Sequence, residues 1–403
     1  MKYRRNLCMI PLAIALLAFA GLPPGAWAIV TVQCPGDTDG DAIPEGSPPA
    51  NLKCMHLGAG DGFVTMADGR PIYIFGFSNL TGVPDGDAMM EGALAANFPA
   101  PTIVLKEGDE LYLSLTNVGM MIRPDLFDPH TVHYHGFPQA SSAFDGVPDA
   151  SISINMGSTI TYYYKNVEPG TYMYHCHVEA TEHMQMGMLG NLYVKPAQDG
   201  TTFEYPDGSG NNYNQFAYND LDGSTGFDRE FPIQIGSLDP DFHDASWNVQ
   251  PLPFANMKDR YAMLNGRGYP DTIVAGDLPA PAENGGKISQ RVSSLVTADA
   301  GERILLRISN LNVTNFYTLT ALGVPMQVVG HGARLLRGPA QGANQNIYHG
   351  TTTVTLGGGE SVDVLVDTTG IPAGTYFLYA TNLNFLSNGT EDFGGMMTEI
   401  VIN

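Results

Sequence analysis

Short runs of β-branched and aromatic residues recur along the chain between Gly, Pro, Asn and Asp clusters. In the first half they are Pro71–Phe75, Thr102–Leu105, Glu110–Leu115, Ile152–Ile154, Thr159–Tyr164 and Asn191–Val194. Runs this short, at this spacing, predict the strands of an antiparallel β-sandwich. A polar stretch from Gln198 to Phe227, rich in Gly, Asn, Asp and Tyr, reads as a long connection, and a second strand-rich block follows it.

The two blocks read as copies of one unit. Gly170-Thr171-Tyr172 and Gly187-Met188 are echoed by Gly374-Thr375-Tyr376 and Gly395-Met396. Glu107-Gly108-Asp109-Glu110-Leu111 is likewise echoed by Ala300-Gly301-Glu302-Arg303-Ile304. Internal duplication is the simplest account. The expected organisation is all-β, with one sandwich domain over 55–197, a linker over 198–229 and a second sandwich over 230–403.

The N-terminus stands outside this pattern. Lys2, Arg4 and Arg5 precede an apolar run from Leu7 to Leu22 that ends in Ala26-Trp27-Ala28, which reads as a cleavable signal peptide over residues 1–28. An acidic, Gly/Pro-rich leader follows over 29–54. Its Asp37-Thr38-Asp39-Gly40-Asp41 resembles a calcium loop, but one copy without the later bidentate carboxylate reads rather as a solvated acidic turn. No second run of about 18 apolar residues follows, so a periplasmic or secreted protein without a membrane span is expected.

Composition narrows the function. The 403 residues carry 41 acidic and 19 basic side chains, and loss of the three basic residues of the signal takes the formal charge from -22 to -25. Such a chain does not bind nucleic acid or an anionic membrane by neutralising phosphates. Of four Cys, Cys8 lies in the signal, Cys34 and Cys54 bracket a loop that could close as a disulfide, and Cys176 sits among histidines.

Six of the ten His form two clusters: His130, His133 and His135, then His175, His177 and His183 around Cys176. On a strand, residues two apart share a face and neighbours point oppositely. An inner site then collects His130, Cys176, His183 and Met188. Two imidazoles, a thiolate and a weak axial thioether are the ligand set of an electron-transfer copper. An outer site collects His133, His135, His175 and His177, imidazole ligation suited to copper, zinc or iron. Cys176 is covalently adjacent to two of the outer histidines, a short through-bond route that suggests redox catalysis. His56 and His243 read as satisfied core histidines.

The segment Pro129–Gly136 and His175-Cys176-His177, followed by His183 and Met188, resemble the copper motifs of multicopper oxidases of the laccase type. They resemble, less closely, those of copper-containing nitrite reductases. The likeness runs over about residues 55–403 as two cupredoxin-like Greek-key β-sandwich domains in tandem, with strong motifs only in the first. It implies type 1 copper on His130, Cys176, His183 and Met188, and a type 2/type 3 centre on His133, His135, His175 and His177. It further implies a small reducing substrate or donor protein, dioxygen as acceptor, and a homotrimer. Asp145, in the turn Phe144–Pro148, matches a family turn near the copper cluster and either relays protons or caps the turn.

Two departures stand out. His183 follows Cys176 by seven positions, where laccase-like chains usually have five. The family's trinuclear centre also uses eight His, four of them from a second domain, by resemblance that of a neighbouring subunit. By position, Val329 and His331 correspond to His133 and His135, and approximately Tyr379 and Thr381 to His175 and His177. His331 is thus the expected extra ligand, with His349 as an auxiliary. A nitrite reductase would need only His135 and His175 with His331 of a neighbouring subunit. That family, however, has an Asp at the place of His133, no second His at the place of His177, and a His at the place of Met326.

Overall fold

The computed structural model describes residues 30–165, 167–338 and 345–403; the expected signal segment lies outside them. The first sandwich is built from β1 (Leu52–Thr65), β2 (Pro71–Asn79), β3 (Ala100–Lys106), β4 (Glu110–Gly119), β5 (His133–His135), β6 (Thr159–Lys165), β7 (Gly170–His175) and β8 (Leu189–Lys195). One sheet has the order β2-β1-β4-β6 and the other β3-β8-β7-β5. Five of the six expected runs fall in these strands. Ile152–Ile154 does not: Ile152 is exposed, and Ile154 makes only an isolated bridge to His130.

The segment after the first sandwich is not slack. It contains the hairpin β9 (Phe203–Glu204) and β10 (Asn212–Tyr213). The Arg303 guanidinium stacks 4.0 Å from the Tyr205 ring, and Tyr218 is buried with its hydroxyl donating to Asp363. At the other end, β1 begins inside the expected leader, and a Cys34–Cys54 disulfide ties the leader to it.

The second sandwich comprises β11 (Arg229–Leu238), β12 (Tyr261–Leu264), β13 (Val296–Ala298), β14 (Arg303–Asn310), β15 (Tyr317–Ala321), β16 (Met326–His331), β17 (Arg334–Leu335), β18 (His349–Thr351), β19 (Thr353–Leu356), β20 (Glu360–Asp367), β21 (Gly374–Ala380) and β22 (Met397–Ile402). Its sheets run β12-β11-β14-β20-β16-β17, with β18 also on β16, and β13-β22-β21-β15-β19. The pairing repeats the first unit: β1 and β11 run parallel to β4 and β14, and β3 and β13 run parallel to β8 and β22. The Gly-Thr-Tyr echoes open β7 and β21, and the Gly-Met echoes precede or enter β8 and β22.

Each sandwich has its own core: Leu57, Phe75, Leu113, Tyr162, Tyr174 and Leu192 in the first, and Ile233, Leu306, Tyr317, Val364, Leu378 and Ile400 in the second. Burial contributes about 1.5–3 kcal/mol for each large apolar side chain, so both units hold substantial cores.

Two devices join the units. Helix Pro240–Trp247, started by Pro240 and by the Asp239 carboxylate accepting from the Asp241 N–H, belongs to the second block, yet its Phe242 packs into the first core. The alternating pattern gave no sign of it. In the seam, Thr171 of β7 hydrogen-bonds Asp363, and Arg307 donates to Thr171 at 3.0 Å and to Glu230 at 3.0 Å. Arg307 and Asp363 are both buried, 3.6 Å apart.

Candidate metal centre

Strands β5 and β7 pair antiparallel, with His133 opposite His175 and His135 opposite Met173. The alternation expected of the two clusters follows from this register. Cys176 leaves the end of β7 toward the core, with its N–H donating to the Met188 carbonyl at 3.2 Å.

The inner group is closed from water. His130, Cys176, His183 and Met188 are all fully buried. The Cys176 Sγ lies 3.6 Å from Nδ1 of His130 and 3.2 Å from Nδ1 of His183. The seven-position spacing has a local cause. Helix Ala180–Met186 fills the loop and ends at the left-handed Gly187, returning His183 to the sulfur. Burial disfavours charge here, but His183 and His130 outweigh it and hold the Cys176 thiol well below its ordinary value. Burial opposes the His183 imidazolium as well, yet the Cys176 and Asp128 charges push it up to about 10. A pocket that stabilises a thiolate beside two histidine rings, away from water, fits a soft, thiophilic cation such as copper, which would take the place of the His183 proton. Met188 shares the cluster through its backbone and its burial beside Cys176.

At the outer group, nitrogens of His133, His135 and His175 lie within 4.8 Å of one another, and His135 Nε2 approaches His175 Nε2 to 3.0 Å. Each ring has an anchor at its other nitrogen. His133 Nδ1 is 2.6 Å from the Asp145 carbonyl, His175 Nδ1 is 2.7 Å from the Cys176 carbonyl, and His135 hydrogen-bonds the Gly359 backbone. Such anchors set the tautomer of a metal-binding imidazole. Burial holds His175 down at about 3 and lowers His135 as well, and in both it disfavours the protonated ring that cannot bind a metal. His177 stands beside this trio, its ring 4.8 Å from that of His133 and stacked on His175 at 5.4 Å.

Asp145 reaches the site chiefly through its backbone; its carboxylate is 3.5 Å from His133 Nδ1. The turn needs Gly146, where φ is +74° and a Cβ would strike the Val132 carbonyl at 2.0 Å.

His331 joins neither group, and the proposed correspondence with His135 requires correction. By pairing, β15 is the counterpart of β5, and Thr320 opposite Tyr379 repeats His133 opposite His175. His331 lies exposed at the end of β16, in the other sheet, and His349 lies exposed across from Val328 on β18. The acidic leader brings Asp37, Asp39 and Glu45 together, but the Asp37 carboxylate already accepts from the backbone N–H groups of Asp39, Gly40 and Ala42. Asp128, whose carboxylate lies 3.9 Å from His183 Nε2, and Gly359 escaped sequence reasoning. For Gly359 a signal existed in the run Gly357-Gly358-Gly359.

His243 and His56 behave as core histidines. His243 sits between the Tyr73 and Gln185 carbonyls at 2.5 and 3.0 Å, which fastens helix Pro240–Trp247 to the ligand loop. His56 bonds Thr116 at 2.7 Å.

Comparison with known proteins agrees with this geometry. The chain resembles the blue copper oxidase of Nitrosomonas europaea with a TM-score of 0.60 at 21% identity, covering 87% of this chain and 86% of that one. It resembles the copper nitrite reductase of Nitrosomonas europaea with a TM-score of 0.56 at 16% identity, over 87% and 94%. At these identities the likeness shows the cupredoxin fold. Multicopper oxidase MCE of Talaromyces pinophilus is 32% identical over 120 residues, 29% of this chain and 18% of that protein, so the chain spans under a fifth of that relative's length. Models of the multicopper oxidases match residues 84–199 and 247–401, one on each sandwich and together more than half of the chain. By these matches, and by a fold and a Cys–His constellation that agree with them, the chain belongs to the multicopper oxidase family.

Proposed function

We propose that the protein is an exported, copper-dependent oxidoreductase that takes electrons from a small reducing substrate or donor protein at the inner site and delivers them to dioxygen at the outer site. The observation that carries this reading is the His175-Cys176-His177 triplet at the end of β7, one peptide unit from the thiolate of the inner group to the imidazoles of the outer. Bound at both groups, copper supplies one-electron redox chemistry. His130, Cys176 and His183, with Met188 buried beside them, would hold the inner ion, and His133, His135 and His175, with His177 alongside, would offer the outer imidazoles.

The remaining work belongs to the protein. Burial of the inner ligands excludes water and packs them against the core of the first sandwich. Anchored carbonyls turn the outer imidazoles toward a common point. Acceptor reduction consumes protons, and the Asp145 carboxylate, a third exposed beside His133, is placed to pass them from solvent. The Cys34–Cys54 disulfide supports export to an oxidising compartment.

Nitrite reduction is a second reading, favoured by one observation: the outer group gathers three imidazoles, the ligand number that chemistry needs, although one of them is His133, where the nitrite reductases have an Asp. Copper-loaded protein should show an intense thiolate-to-copper absorption and consume oxygen with phenolic or cuprous donors, and Cys176→Ser should lose both. Absorption that is missing, or that survives Cys176→Ser, refutes the proposal. Nitric oxide formed from nitrite without oxygen uptake selects the second reading.

A further inference from the structure

We infer that the outer centre is a single-copper site completed within one chain by His133, His135 and His175, and that the second sandwich, from the same chain or from a neighbouring copy, supplies it with no imidazole. The inference rests on the copper reading above and departs from an eight-histidine cluster.

The first argument is register. Opposite β21, Thr320 pairs with Tyr379 as His133 pairs with His175. The next turn agrees: the Ala380 N–H donates to the Met396 carbonyl at 3.0 Å, as the Cys176 N–H does to Met188. Tyr317, Thr320, Leu322, Tyr379 and Thr381 therefore stand where His130, His133, His135, His175 and His177 stand in the first unit, and Ala380 stands for Cys176. The second copy keeps the scaffold and has no nitrogen ligand at any of these places.

The second argument is number. The sequence holds ten His. Six form the two clusters, and His56 and His243 are buried against other partners. A neighbour that presents its second sandwich, as in a head-to-tail ring, can bring only the exposed His331 and His349, so four and two make at most six at one centre, not eight.

The third argument is spacing. Two imidazole nitrogens each about 2.0 Å from one ion at a near-right to tetrahedral angle are about 3 Å apart. The 3.0 Å between Nε2 of His135 and Nε2 of His175 matches one shared ion. His133 offers a third nitrogen within 4.8 Å of both, and His177 falls outside that group.

The test is copper counting on the full-length, copper-saturated protein after gel filtration, combined with integration of its electron paramagnetic signal. Two coppers per chain are expected, both detectable in the oxidised protein. His135→Ala and His175→Gln should each lose one while the blue absorption persists, which also shows that the variants fold. His331→Ala and His349→Ala should keep both. Four coppers per chain, a magnetically silent pair, only one copper per chain, or loss of the outer copper in His331→Ala would each overturn the inference. Failure of the oxidoreductase reading is separable: it shows as absent blue absorption or absent turnover, whatever the count.

Discussion

Gly359, in the second sandwich, lies against the imidazole of His135 in the first: a Cβ on Gly359 would stand 2.7 Å from His135 Nδ1. With φ at +90°, the position is also one that other residues adopt only under strain. The second sandwich thus sets the orientation of an outer ligand without providing one. Gly359→Ala should weaken copper at the outer group about 10- to 100-fold, as expected for loss of a supporting contact, while the inner absorption stays unchanged. Titration with a competing chelator, following both spectra, measures this.

The seam between the sandwiches carries a buried ion pair whose members share Thr171. Asp363→Ala leaves buried Arg307 with Glu230 as its one remaining carboxylate among the described residues, and should cost about 3–5 kcal/mol. Arg307→Met combined with Asp363→Leu should recover most of that loss. Urea midpoints of the three proteins decide the matter; a wild-type midpoint in Asp363→Ala would show that the pair contributes nothing.

Acid should destabilise the protein through His56. Burial depresses its pKa from 6.5 to about 4, so between those values the unfolded chain binds more protons than the folded one. Stability is therefore intact above pH 6.5 and declines as pH falls toward 4, by about 3 kcal/mol in all. His56→Gln, which can keep a bond to Thr116, should flatten that part of the stability profile measured by denaturant unfolding. An unchanged slope would place the acid sensitivity elsewhere.

The Cys34–Cys54 bridge closes a loop with a sequence separation of 20. Closing such a loop restricts the unfolded chain and is worth about 3 kcal/mol in the entropic account. A Cys34→Ser, Cys54→Ser double variant should unfold at correspondingly lower denaturant with its blue absorption intact, since the bridge lies far along β1 from the ligand loop.

Much of the candidate site is legible from sequence because period-two alternation is a local rule. His175, Cys176 and His177 announce their opposite faces without knowledge of any partner strand. The counterpart of β5 was not legible for the same reason. Tyr317–Ala321 retains Thr318 where Thr131 stands but none of the histidines, whereas the Gly-His-Gly at residues 330–332 looks like a ligand motif and lies in the other sheet. Only the pairing of Thr320 with Tyr379 separates the two. Gly359 and helix Pro240–Trp247 were hidden differently: each acts through a contact between the sandwiches, and a one-dimensional pattern records no such contact.

Strand β7 begins in the seam, where Thr171 is gripped by Asp363 and Arg307, and runs in unbroken hydrogen-bonded register to the His175-Cys176-His177 triplet. One strand thus has the thiol of the inner group just past one end and the second sandwich at the other. A copper held at the inner site would then report on the seam: loosening the Arg307–Asp363 pair should shift its absorption through the five residues of β7 that join the two ends.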